Sequence, residues 1–123
     1  MIEIPEMLTL IEIAVSERGE NFHYIDYATT YAEIDEHDCK YVDPLTGRPL
    51  CIAGVALKEA GMLDLVREGE IPSAQHGLVG KISRGALYAL DSAQNAQDRG
   101  ETWGQALVEA RSRAARYAGD ETL

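Results

Sequence analysis

Two cysteines and three histidines are the side chains of this sequence that could bind a transition metal. Cys39 and Cys51, with His37 and either His23 or His76, could supply a tetrahedral set of sulfur and nitrogen ligands for Zn²⁺. Structural zinc sites usually contain close pairs of ligands, about two to four residues apart, whereas eleven residues separate the two cysteines. We therefore expect no metal and no other cofactor. A disulfide between the two thiols is an alternative that a reducing compartment would disfavour, and packing as small apolar side chains is the preferred interpretation.

Catalytic motifs are equally sparse. Cys51 together with a histidine is the one combination of nucleophile and base, and none of the short sequences that usually surround a catalytic serine or cysteine accompanies it. The glycines on either side of Lys81, Gly80 and Gly85, do not have the spacing of a phosphate-binding loop. The sequence therefore predicts a protein that is not an enzyme. A metal-stabilised or catalytic domain built on Cys39 and Cys51 remains an alternative.

The acidic residues are unevenly distributed along the chain. The 123 residues carry a net charge of −10, and residues 1–45 contain eleven acidic and two basic residues, a net charge of −9. Such a surface repels a phosphate backbone, so we do not expect nucleic-acid binding. The densest acidic run is a candidate surface for a basic protein partner, and a mimic of a nucleic-acid backbone is a second functional interpretation. A solubilising surface is the interpretation that net charge by itself favours. The run comprises Glu33, Asp35, Glu36 and Asp38.

Basic residues near the carboxyl end suggest a second function. Residues 82–118 read as a pair of helices, with Arg111, Arg113 and Arg116 on the second one. Such a pair could act as a helix-turn-helix in a nucleic-acid-associated regulator. Base-reading side chains normally lie near the start of a recognition helix, however, and this start reads Trp-Gly-Gln-Ala, residues 103–106. The regulator is therefore the alternative to a protein that acts through protein–protein contacts.

Apolar residues recur at helical spacing in most of the elements that must position these groups. Pro5 suits a first helical turn, and apolar residues recur every three or four positions until Gly19. A second helix of about ten residues follows Pro49, with Gly54 inside it at an expected close approach of another backbone and Gly61 at its end.

The last third of the chain predicts two further helices. The first covers residues 82–98 and ends at Asp98-Arg99-Gly100, where the chain must turn. Thr102 with Gln105 has the spacing of a capping box that starts the second at Trp103. We expect Trp103 to be a core anchor beside that cap, not a platform for a ligand. Residues 119–123 are expected to fray.

Turn residues between positions 39 and 51 predict a small hairpin. Cys39–Val42 reads as a strand, Asp43-Pro44 begins a turn, and Gly47 can adopt a positive φ. Pro49 removes one donor from the ladder, so the second strand should be short or lie at an edge. The predicted fold is thus a single domain, residues 1–123, mainly α, with about four helices and a short β-hairpin near residues 39–50. No apolar run exceeds five residues, so we expect no membrane-spanning segment.

Two ordered groups of residues give the sequence a resemblance to a known group. The order resembles that of small uncharacterised proteins encoded by actinobacteriophages, although Ala53 stands where those proteins often carry a different aliphatic residue. The resemblance implies a small protein made in the cytoplasm of a bacterial host, and it implies no activity. We therefore expect a host or phage protein as partner, or a homodimer. The residues are Cys39, Tyr41, Val42, Gly47, Pro49, Cys51, Ile52, Gly54, Leu57 and Gly61, then Ala93, Gln94, Gln97, Asp98, Gly100, Thr102, Trp103, Gly104 and Ala106.

Overall fold

The computed structural model describes residues 1–24 and 40–122, and this part of the chain is mainly helical, as predicted. Its four helices are α1 (Ile4–Arg18), α2 (Ile52–Glu59), α3 (Arg84–Asp98) and α4 (Trp103–Thr122). Three short 3₁₀ turns connect α2 to α3, at Leu63–Leu65, Pro72–Ala74 and His76–Leu78. None of the described helices is both long and apolar enough to cross a bilayer. The fraying expected for residues 119–123 stays a prediction.

Helices α3 and α4 form an antiparallel pair with a core of small residues. Gly85, near the start of α3, lies against Tyr117, near the end of α4, where a Cβ on the glycine would come within 2.7 Å of the tyrosine ring. Alanines along both helices are buried and allow the two backbones to approach closely. They are Ala86, Ala89, Ala93 and Ala96 on α3, and Ala106, Ala110 and Ala114 on α4.

Helix α1 packs against all three other helices and closes the core. Met7, Ile11 and Ala14 are fully buried on its inner face, at the helical spacing that predicted them. The chain just before α1 is tied to the entry of α3, because the Ile2 N–H donates to the Lys81 carbonyl at 2.9 Å and the Ser83 N–H donates to the Ile2 carbonyl at 2.8 Å. The start of the chain is therefore part of the packed structure.

The prediction of a β-hairpin near residues 39–50 was wrong. Residues 40–50 form a loop that is closed by a single antiparallel bridge between Val42 and Pro49, and no strand occurs in the ranges that the structure describes. The turn chemistry itself was predicted correctly: the Gly47 N–H donates to the Asp43 carbonyl at 2.8 Å, and Gly47 has φ +74°. Because Pro49 has no N–H and α2 begins at Ile52, the returning chain offers too few donors for a second strand.

Glycines end α2 and α3 as the sequence predicted. After α2, the Gly61 N–H donates to the Lys58 carbonyl and the Met62 N–H to the Leu57 carbonyl, at 2.9 and 2.8 Å, with Gly61 at φ +74°. These two bonds define a Schellman motif. The same pattern recurs after α3, with Gly100 at φ +91°. Both helices therefore stop where a left-handed residue lets the last carbonyls find donors.

Candidate functional site

The start of α2 is capped by side chains from a different helix. Its first N–H groups point into the core, where they need acceptors. The Gln97 Oε1 accepts from the Ile52 N–H at 2.8 Å, the Gln94 Oε1 accepts from the Ala53 N–H at 3.1 Å, and the Cys51 Sγ accepts from the Gly54 N–H at 3.3 Å. Both glutamines are buried, Gln97 completely. We call these three side chains the glutamine cap.

The glutamine cap joins the two groups of residues on which the resemblance was based. Cys51 and Gly54 come from the first group, and Gln94 and Gln97 from the second. The two glutamines are three positions apart on α3, so both project from the same face toward α2. The sequence showed Gln94 and Gln97 as part of a pattern and gave these two glutamines no role. Their role in the structure is to hold α2 against α3.

Gly54 occupies the close approach that its position inside a helix predicted. A Cβ there would lie 2.4 Å from the Tyr41 carbonyl oxygen, so this prediction is confirmed. Tyr41 is itself buried, and its hydroxyl donates to the Glu70 carbonyl at 2.6 Å while its N–H donates to the Glu68 Oε1 at 2.7 Å. Tyr41 thus holds the 40–50 loop between α2 and the chain around residue 70.

Arg18 connects the end of α1 to the 40–50 loop and to α4. Its guanidinium donates to the Leu50 carbonyl and, at 2.6 Å, to the Pro49 carbonyl. The same guanidinium lies 5.4 Å from the centre of the Phe22 ring and 5.0 Å from that of Trp103, within the range of cation–π attraction. One arginine therefore stabilises three segments at once.

Trp103 is the core anchor that the sequence predicted. Its side chain is fully buried and meets the Phe22 ring edge-to-face, with 4.8 Å between ring centroids. The Trp103 N–H donates to the Phe22 carbonyl at 2.9 Å and the Gly104 N–H to the Glu20 carbonyl at 2.8 Å. Among the described residues, the indole N–H has no acceptor. The start of α4 is therefore covered by the chain that follows α1.

The threonine half of the predicted capping box is present. The Thr102 Oγ1 accepts from the Gln105 N–H at 3.1 Å, and the helix begins at Trp103. This bond satisfies one of the donors at the helix start that Phe22 and Glu20 do not reach.

Gln75 is a buried polar residue that sequence reasoning missed. Its Oε1 accepts from the Arg67 N–H, and its Nε2 donates to the carbonyls of Arg67 and Glu70, each at 2.8 Å. The amide thus closes the loop of residues 67–70 onto the Pro72–Ala74 turn. A lone glutamine among turn residues gives no periodic signal, so the sequence could not distinguish it from a solvated loop residue.

Asp91 connects α3 to the same Pro72–Ala74 turn. Its Oδ1 accepts from the Ser73 N–H at 3.0 Å. Partial burial raises the pKa of the Asp91 carboxyl above its usual range, and the hydrogen bonds from Ser73 and the nearby Arg113 charge oppose that rise. The carboxylate therefore has a structural role, although its partial burial disfavours the charged form.

The predicted absence of a metal site and of a catalytic group is not tested, because Cys39, His37 and the acidic run at Glu33, Asp35, Glu36 and Asp38 lie outside the described residues. Within residues 1–24 and 40–122, no three His, Cys, Asp or Glu side chains cluster as metal ligands would. Among the described residues Cys51 is a free, buried thiol, and the His23 Nδ1 lies 2.9 Å from the Gly100 carbonyl oxygen.

Two open clefts flank the 40–50 loop. The first has a volume of about 380 Å³ and a mostly apolar wall, and the second, about 340 Å³, is lined largely by charged side chains. The first is lined by Val42, Gly47, Lys58, Gly61, Leu63 and Asp64. The second is lined by Glu17, Arg18, Arg48, Pro49, Val55, Lys58 and Glu59.

The outer face of α1 carries exposed carboxylates. Glu6, Glu12 and Glu17 are solvent-exposed on either side of the buried stripe, Glu6 and Glu17 on one side and Glu12 on the other, and we call these three residues the acidic face. Glu12 accepts from Arg111 of α4 at 2.9 Å, an exposed ion pair of the kind that contributes less than about 1 kcal/mol. Arg113 lies over the Tyr88 ring, 5.0 Å from its centre. Two of the three arginines on α4 are thus engaged within the molecule.

No protein-family model matches the chain, and neither the curated proteins nor the solved structures contain a significant match. The site is therefore interpreted from its own geometry.

Proposed function

We propose that this is a small, acidic, non-enzymatic phage protein that binds another protein, of the host or of the phage, in the host cytoplasm. The proposal depends on one observation, which is that the described side chains fall into a structural group and an exposed, charged group. The motif residues hold the fold together, while an excess of negative charge lies on an exposed helix face.

The first support is that the polar side chains of the motif, including the candidate nucleophile and metal ligand, make hydrogen bonds to the backbone of the fold. The Cys51 sulfur, which would be the nucleophile of a catalytic site or a metal ligand, accepts a backbone hydrogen bond inside the core. The Gln94 and Gln97 amides cap α2, and the Tyr41 hydroxyl binds a backbone carbonyl. These contacts favour a structural role for the motif over the metal-stabilised or catalytic alternative with Cys39 and Cys51.

The second support is the rigid display of the acidic face. Met7, Ile11 and Ala14 fix the inner side of α1 in the core, and Arg18 anchors its last turn to the 40–50 loop. Glu6, Glu12 and Glu17 therefore project from a backbone that does not need to order itself on binding. Exposed charges of one sign accelerate encounter with a partner of opposite charge, so the surface fits a protein with a basic patch.

The regulator alternative is less well supported by the geometry. A recognition helix reads bases with the side chains of its first turns. Here that part of α4 contains buried Trp103 and Gly104, whose missing side chain accommodates Glu20: a Cβ would lie 2.8 Å from the Glu20 carbonyl oxygen. The start of α4 is covered, which opposes its entry into a DNA groove.

The test is affinity capture from a bacterial host lysate, followed by binding kinetics with the recovered protein. The double variant Glu6→Gln/Glu17→Gln should lower the association rate and weaken its salt dependence, with little effect on dissociation. The control, Asp64→Asn/Glu70→Gln, removes the same charge from exposed positions on the chain that follows α2. A separate variant neutralises Glu33, Asp35, Glu36 and Asp38 and tests the acidic run in the same way. Equal association rates for all variants would contradict an electrostatic contact surface.

A further inference from the structure

We propose that the apolar cleft beside the 40–50 loop is the contact surface of a homodimer, in which Leu45 of each copy inserts into the cleft of the other. We call this surface the Leu45 cleft; its lining is Val42, Gly47, Lys58, Gly61, Leu63 and Asp64. It lies outside the acidic face, so the inference goes beyond the proposed function and does not depend on a host or phage partner.

Leu45 is an apolar side chain held out into solvent by an ordered turn. It is 81% exposed, more than any other large apolar residue in the described ranges. The Leu45 N–H donates to the Asp43 Oδ1 at 2.9 Å, and the Gly47 N–H donates to the Asp43 carbonyl at 2.8 Å. Because the turn is closed by these bonds, the backbone that presents the leucine is already ordered before binding.

The cleft lies directly beside this leucine. Val42 and Gly47, which border the turn that carries Leu45, also line the cleft, and Leu63 contributes a further apolar wall. A twofold dimer uses the same patch on both copies, and a protruding group beside a shallow recess makes such a patch self-complementary. The Leu45 cleft has both, which is why a second copy is the occupant that the geometry favours.

The charges around the cleft are also self-complementary. Lys58 and Asp64 are both exposed at its edge. A twofold axis through the patch would place Lys58 of each copy toward Asp64 of the other. Residues 40–67 contain four basic and three acidic residues, a net charge of +1 in a chain of net charge −10. Two copies can therefore meet at this patch with little electrostatic repulsion.

The contact is small, so we expect a weak dimer that depends on concentration. Interfaces at the low end of the size range typically belong to transient complexes, with dissociation constants on the order of micromolar. Sedimentation velocity over a concentration series measures that constant directly.

The first arm of the experiment compares two equivalent substitutions. Leu45→Asp should raise the dissociation constant at least tenfold. Val79→Asp is the control, because Val79 is 70% exposed on a different turn and the change in charge is the same; it should leave the dimer intact. A wild-type chain that stays monomeric at hundreds of micromolar, or equal effects of the two substitutions, would overturn the proposal. A small apolar ligand or another protein in the cleft would then be its occupant.

The second arm reverses the charges at the edge of the cleft. Lys58→Glu and Asp64→Lys should each weaken self-association, and an equimolar mixture of the two variants should form a heterodimer. Lys81→Glu, an exposed lysine away from the cleft, is the control and should dimerise like wild type. A mixture that shows no association would overturn the proposed pairing. The acidic-face variants are not used here, so failure of this inference leaves the test of partner binding untouched.

Discussion

Buried glutamines explain how a helix can begin inside a small core. The N–H groups of Ile52 and Ala53 have no partner within α2 and no access to water, so their acceptors must come from elsewhere in the fold. Gln97 and Gln94 supply neutral acceptors from α3. A carboxylate could accept the same bonds but would bring a charge into the core, which is far more costly to bury than an amide.

Replacing Gln97 with leucine tests this role. The change keeps an apolar stem of similar size and leaves the Ile52 N–H buried without an acceptor, so we expect a loss of about 1–3 kcal/mol in the free energy of unfolding. Urea denaturation followed by circular dichroism measures the loss. Asn95→Ala, at an exposed position on the same helix, is the control and should stay within about 0.5 kcal/mol. An unchanged Gln97→Leu midpoint at the same slope would refute the cap.

Asp91 gives the protein a pH-dependent stability with a definite sign. Its pKa in the folded chain is raised above the ordinary value of 3.8, chiefly by burial. As pH rises from 3.8 through the raised pKa, the folded state binds more protons than the unfolded state, so the contribution of Asp91 to stability falls. Below that window the contribution is unaffected by pH, and above it the penalty is constant.

Asp91→Asn keeps an oxygen acceptor for the Ser73 N–H and removes the charge. We expect this variant to be more stable than wild type at pH 7 and to lose the fall in stability that begins as the pH rises above 3.8. Urea denaturation at a series of pH values checks both expectations. Glu59→Gln, at an exposed position, controls for loss of one negative charge. A variant as pH-dependent as wild type would show that burial of Asp91 has no energetic consequence.

At the scale of elements, the boundaries of the helices depend on a few capping residues. Thr102→Ala removes the hydroxyl that accepts from the Gln105 N–H at the start of α4, and such losses cost about 1 kcal/mol. Thr9→Ala is a matched control on α1, where the hydroxyl donates to the Pro5 carbonyl and contributes little to the helix. We therefore expect Thr102→Ala to lower the denaturation midpoint more than Thr9→Ala does. Equal midpoints would mean that Thr102 does not determine where α4 starts.

The helices could be predicted because their signals are local. Apolar spacing marked the buried face of α1, and Gly61 and Gly100 marked the ends of α2 and α3 through their own conformational freedom. Gly54 could also be interpreted, because a glycine inside a helix costs stability unless a neighbour needs the space. These features are encoded within a few residues of where they act.

The failure of residues 40–50 to form a hairpin and the presence of the glutamine cap could not be predicted, because both depend on distant partners. The turn at Asp43–Gly47 was visible, but a strand also needs free backbone groups, and the Pro49 and Leu50 carbonyls accept from Arg18, more than thirty residues away. The Ile52 N–H is likewise satisfied by Gln97, forty-five residues further along. Local spacing carries no information about contacts that only the tertiary fold brings together.

At the scale of the whole molecule, the distribution of charge predicts the response to nucleic acid. Residues 1–45 carry a net charge of −9, and Arg111 and Arg113 already make contacts within the chain. We expect no mobility shift of random duplex DNA with micromolar protein at physiological salt. A shift that weakens steeply as salt is added would instead support the regulator.

Trp103 is the single tryptophan of the chain, and its surroundings make it an intrinsic spectroscopic probe. The indole is shielded from water and contacts both the Phe22 ring and the Arg18 guanidinium. Its emission should therefore be blue-shifted in the folded protein and should move to longer wavelength when the end of α1 separates from α4. Steady-state fluorescence can thus follow that junction in real time, without an attached dye, while another molecule binds to the outer surface of α1.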